Sequence, residues 1–484
     1  MSVDAFISRI RNITRQDQGI NGDAQRIEQM SWLLFLKIYD SKEKIWEIED
    51  DNYKSIIPDK LKWRNWGTSS NPLTGDDLLD FVNNDLLKTL KEIEITPDMP
   101  FRKQIVKSTF EDINNYMKNG ILLRQVINVI DELNFDNIKE IHLFNDIYET
   151  ILKEIQNAGS SGEFYTPRAL TDFIAEILDP KLGQTMADLA CGTGGFLTSF
   201  LNRISEQKKT VEDIKTYSQS IYGIEKKGFP YLLAVINLFL HDVDDPNLLH
   251  GNSLERNVKD YSEDEKFDLI MMNPPFGGFE QSIIQNNFPK DLRSAETADL
   301  FMLVIMYRLK MGGKAAVILP DGFLFGSGVQ KNIKKKLFSE FNVHTIIRLP
   351  KSIFNPYTSI NTNIIFFDKN GSTKSTWFYR LDMPENQKNF SKTKPMESKH
   401  LDPIRQWWNN RKEIIEDTFY KSKQFSISEI EELEYNLNQC GYLEQSEEVL
   451  EPMELIKQYY DKRNELNNKI DNVISEIIKI LEQK

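Results

Sequence analysis

Between about residues 160 and 370, short β-rich runs alternate with helical stretches, and this alternation constrains the fold more than any other feature. The runs are Met186–Ala190, Ser220–Ile224, Phe267–Met271, Ala315–Leu319, His344–Leu349 and Asn363–Phe367. Strands alternating with helices specify an α/β architecture with a doubly wound, mainly parallel sheet. Ligands in such sheets bind at the carboxyl ends of the strands. Chemistry is therefore expected in the residues that follow these runs.

The flanks read differently. Residues 1–155 form an expected all-α domain, in which Ile27, Met30, Leu33, Leu34, Ile38 and Trp46 recur at helical spacing. A loop rich in Trp, Asn, Gly and Pro interrupts it at Trp63–Gly75. The α/β domain is expected over residues 156–380. Residues 381–450 read as a polar connector, irregular and then helical, and 451–484 as a C-terminal helix. In that helix Leu466, Ile470, Val473, Ile477 and Ile480 fall at alternating steps of four and three, a coiled-coil seam. Such a seam meets a partner's helix or packs on its own domain.

Composition excludes several classes. The 484 residues are 40% hydrophobic and 27% charged, an ordinary globular balance, and a core of this size needs no metal or disulfide. The two cysteines, Cys191 and Cys440, lie far apart, and the five histidines form no metal-ligand spacing with them. No disulfide framework or structural zinc is expected, and the compartment is expected to be reducing. The best apolar run, Tyr231–Leu240, is about half of the ~20 residues a bilayer needs. With no apolar signal core at the N-terminus, a soluble cytoplasmic protein off the membrane is expected. The net charge of −13 argues against strong autonomous binding to DNA, which is held largely by Lys and Arg on phosphates. Lys331, Lys334, Lys335 and Lys336 cluster, but read first as a solvated helix face.

Four motifs carry chemistry. The first is Asp188-Leu-Ala-Cys191-Gly192-Thr193-Gly194-Gly195, after a strand and before a helical stretch. Its glycines allow a tight turn and close approach of the backbone to a ligand. Such turns also serve dinucleotides and phosphates. Here no P-loop Lys follows, and the leading acid could pair with the ammonium of S-adenosylmethionine. The second is Glu225, which closes a strand where an acid can accept from both ribose hydroxyls. It lies 33 positions past Gly192, beyond the usual offset of about 20, so a longer connection must intervene. The third is Gly162-Glu163-Phe164-Tyr165-Thr166-Pro167-Arg168. Thr166 reads as an N-cap with Pro167 at the first helical position, and such a helix start suits a methionine carboxylate. The fourth, Asn273-Pro274-Pro275-Phe276, is the most specific. Prolines stiffen the loop, so that the Asn273 side-chain oxygen and the Pro274 carbonyl can accept from the two N–H bonds of an exocyclic amino group. Phe276 offers a face on which an extruded base can stack.

Together these residues resemble the amino-methyltransferases of the gamma arrangement, in which a Thr-Pro helix start precedes the glycine-rich turn and Asn-Pro-Pro-Phe follows it. Within that family the chain is similar to the modification subunit of type I restriction–modification systems. Gly251-Asn252-Ser253-Leu254, Leu319-Pro320-Asp321-Gly322, Phe354-Asn-Pro-Tyr357 and Thr362-Asn363 support the likeness. The resemblance implies a Rossmann-like methyltransferase core that uses S-adenosyl-L-methionine, with Asp188 and Glu225 holding methionine and ribose. It implies that the Asn252–Ser253 loop meets the cofactor's adenine, although many relatives carry Asp where this chain has Asn252. It also implies transfer to adenine N6 of a flipped base in DNA, protecting host DNA. Gamma enzymes that act alone carry a sizeable recognition region after the last core motifs, and only about 100 residues follow Tyr379 here. The expected partners are therefore DNA, a specificity subunit shared by two copies of this chain, and a restriction/translocase subunit. Two rivals stand beside this reading: methylation of RNA or of a protein glutamine, and a non-catalytic S-adenosylmethionine-binding scaffold.

Overall fold

The computed structural model describes residues 3–68, 72–133, 147–152, 165–355, 358–385, 387–391, 393–416 and 419–441, with further helical positions scattered between 453 and 475. It divides into two units, Met1–Cys440 and Gly441–Lys484.

Among the described residues of the first unit, ten strands form one sheet: β1 (Met186–Asp188), β2 (Ile221–Glu225), β3 (Leu248–His250), β4 (Phe267–Met272), β5 (Leu309–Pro320), β6 (Asn342–Arg348), β7 (Thr362–Asp368), β8 (Ser375–Arg380), β9 (Ile414–Glu416) and β10 (Phe419–Ser426). Their order is β3-β2-β1-β4-β5-β7-β6-β8-β10-β9. The half from β3 to β5 is parallel, as the strand–helix alternation predicts. The other half is mixed. Strand β7 runs antiparallel to both β5 and β6, β8 is parallel to β6, and β10 is antiparallel to β8 and β9. The mainly parallel sheet expected from the sequence is corrected to a mixed one. Strands β9 and β10 fall inside the 381–450 stretch that reads as irregular and helical, so part of that stretch belongs to the sheet.

The side chains of the central strands alternate between two cores. Met186, Leu269, Met271, Ala316, Ile318, Ile364 and Phe366 belong to one buried cluster, and Ala187, Ile270, Met272, Ala315, Val317, Ile365 and Phe367 to the other. A pleated strand points successive residues to opposite faces, so both faces are covered and these strands read as continuous apolar runs. The Thr297–Arg308 and Val329–Glu340 helices cover one face. The Gly228–Leu240 helix covers the other and shares its core with the N-terminal helices.

That sharing is specific. The Asp23–Glu49 helix buries Ile27, Met30, Leu33, Leu34, Ile38 and Trp46, as its periodicity predicts. Phe35, Tyr39 and Trp46 surround Phe239 of the Gly228–Leu240 helix, with ring centroids 6.3, 6.3 and 6.4 Å away. Aromatic pairs at such distances add about 0.5–1.5 kcal/mol beyond the area they bury. Among the described residues no helix is long and apolar enough to cross a membrane.

In the second unit the described residues between 453 and 475 are helical. Leu466 and Ile470 of the predicted seam are 57% and 54% exposed, while Val473, Ile477 and Ile480 lie outside the described residues.

Candidate functional site

Strand order reverses beside β1, whose neighbours are β2 and β4. A crevice opens outside the carboxyl ends of strands at such a switch point. Here it is a cleft of about 620 Å³, and the first three motifs border it with the fourth.

The turn after β1 is fixed by its glycines and its neighbours. Gly192 and Gly194 have φ of 54° and 77°, a region that penalises any residue with a Cβ. The Cys191 N–H donates to the Ile224 carbonyl at 2.9 Å, which ties the turn to the end of β2. The Thr193 carbonyl accepts from the Asn237 side chain at 2.9 Å. Cys191, Gly192, Thr193 and Gly195 line the cleft. A Cβ on Gly194 would face Ala234 and Asn237 at 3.5–3.7 Å, on the side of the Gly228–Leu240 helix. Gly194 is needed for its left-handed backbone, and the side its Cβ would occupy belongs to that helix.

Two buried carboxyls face the cleft. Asp188 is 1% exposed and accepts from its own loop at the Ala190 N–H, 3.2 Å. Burial pushes its carboxyl well above the usual range, and nearby Glu225 adds to that. Glu225 is 7% exposed. Its Oε2 accepts from the Gly192 N–H at 2.9 Å and its Oε1 from the Lys227 N–H at 2.8 Å. Burial raises its pKa too, against the pull of those backbone donors. Burial also raises the Cys191 thiol. The 33-residue step from Gly192 to Glu225 is explained by two helices, Gly195–Ser205 and Val211–Ser218, the second opened by a capping box of Thr210 and Asp213.

The loop after β3 closes another side. The Ser253 hydroxyl donates to the Leu189 carbonyl at 2.5 Å, and the Asn252 oxygen accepts from the Leu254 N–H at 3.1 Å. That oxygen keeps one lone pair for a ligand.

Opposite stands the loop after β4. Asn273, Pro274, Pro275 and Phe276 all border the cleft. The Asn273 Nδ2 donates to the Thr166 hydroxyl at 3.1 Å, while its Oδ1 is buried with no hydrogen-bond partner. Buried acceptors are rarely left unpaired, so this atom marks where a donor is missing. Phe276 meets Phe354 edge to face at 6.1 Å and 84°.

The Thr-Pro motif departs from its reading as a cap. The helix runs from Arg168 to Leu178, Pro167 is its N-cap, and no side chain caps it. Thr166 instead turns its hydroxyl to Asn273. A residue before proline is held extended, which places Thr166 one step outside the helix. Tyr165 and Thr166 line the cleft; Glu163 and Phe164 lie outside the described residues. Three lining residues, Phe354, Phe279 and Thr297, had no site role in the sequence reading. Phe354 belonged to a stretch noted for resemblance. Phe279 comes from an irregular segment with no periodic signal, and Thr297 opens the Thr297–Arg308 helix, which is apolar all round and gives its first residue no mark.

A glycine-rich turn with two buried carboxyls and a proline-stiffened loop presenting an unpartnered acceptor thus share one cleft, an arrangement suited to group transfer between bound ligands. Comparison narrows the class. Residues 139–450 match the N-6 DNA Methylase family and residues 3–130 the HsdM N-terminal domain. The chain is 45% identical over 481 residues, 98% of each chain, to the type I restriction enzyme EcoEI methylase subunit of Escherichia coli. Among solved structures, it matches a modification subunit assigned to a type I restriction enzyme of Vibrio vulnificus YJ016, with TM-score 0.77, 39% identity, and 88% and 92% of the two chains covered. It also matches a chain from a type I R-M system studied for complex assembly and conformational transition, with TM-score 0.82, 32% identity, and 100% and 98% covered. The chain belongs to the N-6 DNA methylases, and within them to the methylase subunits of type I restriction enzymes.

Proposed function

We propose that the chain transfers a methyl group from S-adenosylmethionine to N6 of an adenine turned out of a DNA duplex, in the cytoplasm, as part of a complex with a specificity subunit and a restriction/translocase subunit. The observation that carries this reading is the unpartnered Asn273 Oδ1 at the cleft wall, beside a proline-stiffened backbone.

The donor set fits the cofactor. Asp188 offers a buried carboxylate to an ammonium, Glu225 keeps lone pairs for ribose hydroxyls, and the Asn252 oxygen keeps one for an adenine N–H. When bound, S-adenosylmethionine supplies an electrophilic methyl on sulfur. The protein's own part is positioning. Asn273 Oδ1 and the Pro274 carbonyl each accept one N–H of the target amino group. Accepting both draws the nitrogen toward tetrahedral geometry and aims its lone pair along the transfer direction. Phe276, steadied by Phe354, stacks the extruded base. No strong base is needed beforehand, because the nitrogen loses its proton during or after attack.

The test uses the assembled complex, labelled S-adenosylmethionine and unmethylated plasmid DNA. The expected product is N6-methyladenine at one recurring sequence, with Asn273→Ala abolishing transfer while leaving cofactor binding intact. Label in RNA or glutamine and none in DNA would overturn the reading, as would near-normal transfer by Asn273→Ala.

A further inference from the structure

We propose that Thr166 is a positioning residue that sets which end of the Asn273 amide faces the target, and that it does so through the cofactor. The proposal rests on the function argued above.

An asparagine amide has two orientations of nearly the same shape and opposite polarity. Only one is productive here. With Oδ1 forward, the loop accepts from the target amino group. With Nδ2 forward, two donors face each other. The structure holds the productive orientation: Nδ2 donates to the Thr166 hydroxyl at 3.1 Å, and Oδ1 is left free and buried.

A hydroxyl alone cannot make that choice, because it both donates and accepts. It could equally donate to a reversed amide. The choice is made when the hydroxyl's own hydrogen is engaged elsewhere. Thr166 borders the cleft on the side of the Arg168–Leu178 helix start. Its side chain is free of helix capping, and its backbone is held extended by Pro167. A carboxylate seated there, as the methionine end of the cofactor would provide, can only accept. It takes the hydroxyl hydrogen, the hydroxyl oxygen must then accept from Nδ2, and Oδ1 must face the target. No bond is made or broken in this relay; only donor and acceptor roles are fixed, and successive hydrogen bonds of one sense reinforce each other. Cofactor and target are thereby coupled through two side chains.

The experiment uses the full chain in its complex, unmethylated plasmid DNA, and three forms: wild type, Thr166→Val and Thr166→Ser. Single-turnover transfer is measured at saturating S-adenosylmethionine. Thr166→Val should be slower by about tenfold, the worth of one hydrogen bond in the transition state, and more cofactor should not restore it. Thr166→Ser, which keeps the hydroxyl, should stay within about twofold of wild type. S-adenosylhomocysteine, which has the carboxylate but no methyl to give, should tighten DNA binding by the wild type and the Ser form, and not by the Val form. A Val form that regains full rate with excess cofactor would assign Thr166 to cofactor binding alone and overturn the proposal. So would equal loss in the Val and Ser forms, or S-adenosylhomocysteine tightening DNA binding equally in all three. If the wild-type complex makes no N6-methyladenine, the function itself fails and the proposal falls with it.

Discussion

Replacing Glu225 by glutamine keeps the shape of the side chain and removes its second acceptor. In the structure each carboxylate oxygen takes one backbone N–H, from Gly192 at 2.9 Å and from Lys227 at 2.8 Å. A glutamine can satisfy only one of them; the other meets an NH₂ group in a site that is 7% exposed. A buried donor left unpaired costs about 1–3 kcal/mol. Burial already opposes the charge on Glu225, and an uncharged amide recovers part of that desolvation, so the net loss is about 1–2 kcal/mol. The cofactor should feel the change too, since the ribose hydroxyls would share the remaining acceptor. At one hundred times its Kd a ligand stabilises the fold by about 2.7 kcal/mol, and a tenfold weaker one at that concentration by about 1.4 kcal/mol. Thermal melting of Glu225→Gln, with and without S-adenosylmethionine, reads both effects. The expected pattern is a lower melting temperature and a cofactor-induced shift about half as large as in wild type. A variant that melts with the wild type and shows the same shift would refute the reasoning, because neither the turn nor the ligand would then depend on the second oxygen.

Burial holds the Asp188 carboxyl above the usual carboxylate range; a bound ammonium should ionise it, so cofactor binding should release a proton and tighten as pH rises through that raised pKa, while the cofactor-free fold loses Asp188's contribution over the same rise. Calorimetry in buffers of different ionisation enthalpy checks this, and a binding enthalpy indifferent to buffer contradicts it. Phe276→Ala should cost about 1–3 kcal/mol in DNA binding or transfer, the range for stacking one base on an aromatic ring, and Phe276→Trp less. Gly194→Ala has room for its Cβ, with nothing nearer than 3.5 Å, so only the backbone penalty of about 1–2 kcal/mol should appear on melting; a loss well beyond that would mean the Ala234 side is tighter than its distances allow. Deleting residues from Pro452 onward should abolish assembly with the specificity subunit, read by size-exclusion chromatography, and leave S-adenosylmethionine affinity unchanged.

Strands β1, β2, β4 and β5 were legible because they are apolar on both faces, whereas β3, Leu248–His250, buries only its first residue and produced no readable run. Phe267–Met271 reads as a strand without help from its neighbours, and the structure carries it one residue further, to Met272, directly before Asn273–Phe276. Strand β10, Phe-Tyr-Lys-Ser-Lys-Gln-Phe-Ser, carries too few apolar residues for a period to emerge. It is a strand because β8 supplies its partner, with Ser422 opposite Tyr379 and Phe425 opposite Thr376. Tertiary pairing of this kind overrides local propensity. Thr166 was misread for a related reason. Thr-Pro fits a capped helix start, and only the fold brings Asn273, 107 positions away, within reach of its hydroxyl. Gly194 was placed in the right turn, and its left-handed backbone agrees with the tight turn read there, but the direction a missing Cβ would take is invisible in one dimension.

The aromatic cluster around Phe239 has a consequence in time. The Asp23–Glu49 helix leaves the ribosome nearly two hundred residues before the helix it packs against. At about 5–20 residues per second the wait is about 10–40 s. Phe35 can meanwhile rest on Phe110, 5.7 Å away in the finished fold, but Tyr39 and Trp46 lack Phe239 until residue 239 is made. Nascent chains stalled short of Gly228 would keep the Tyr39–Trp46 and Trp46–Tyr53 pairs but leave the side that meets Phe239 uncovered. The first helices of this protein therefore complete their packing only once the Gly228–Leu240 helix has been made.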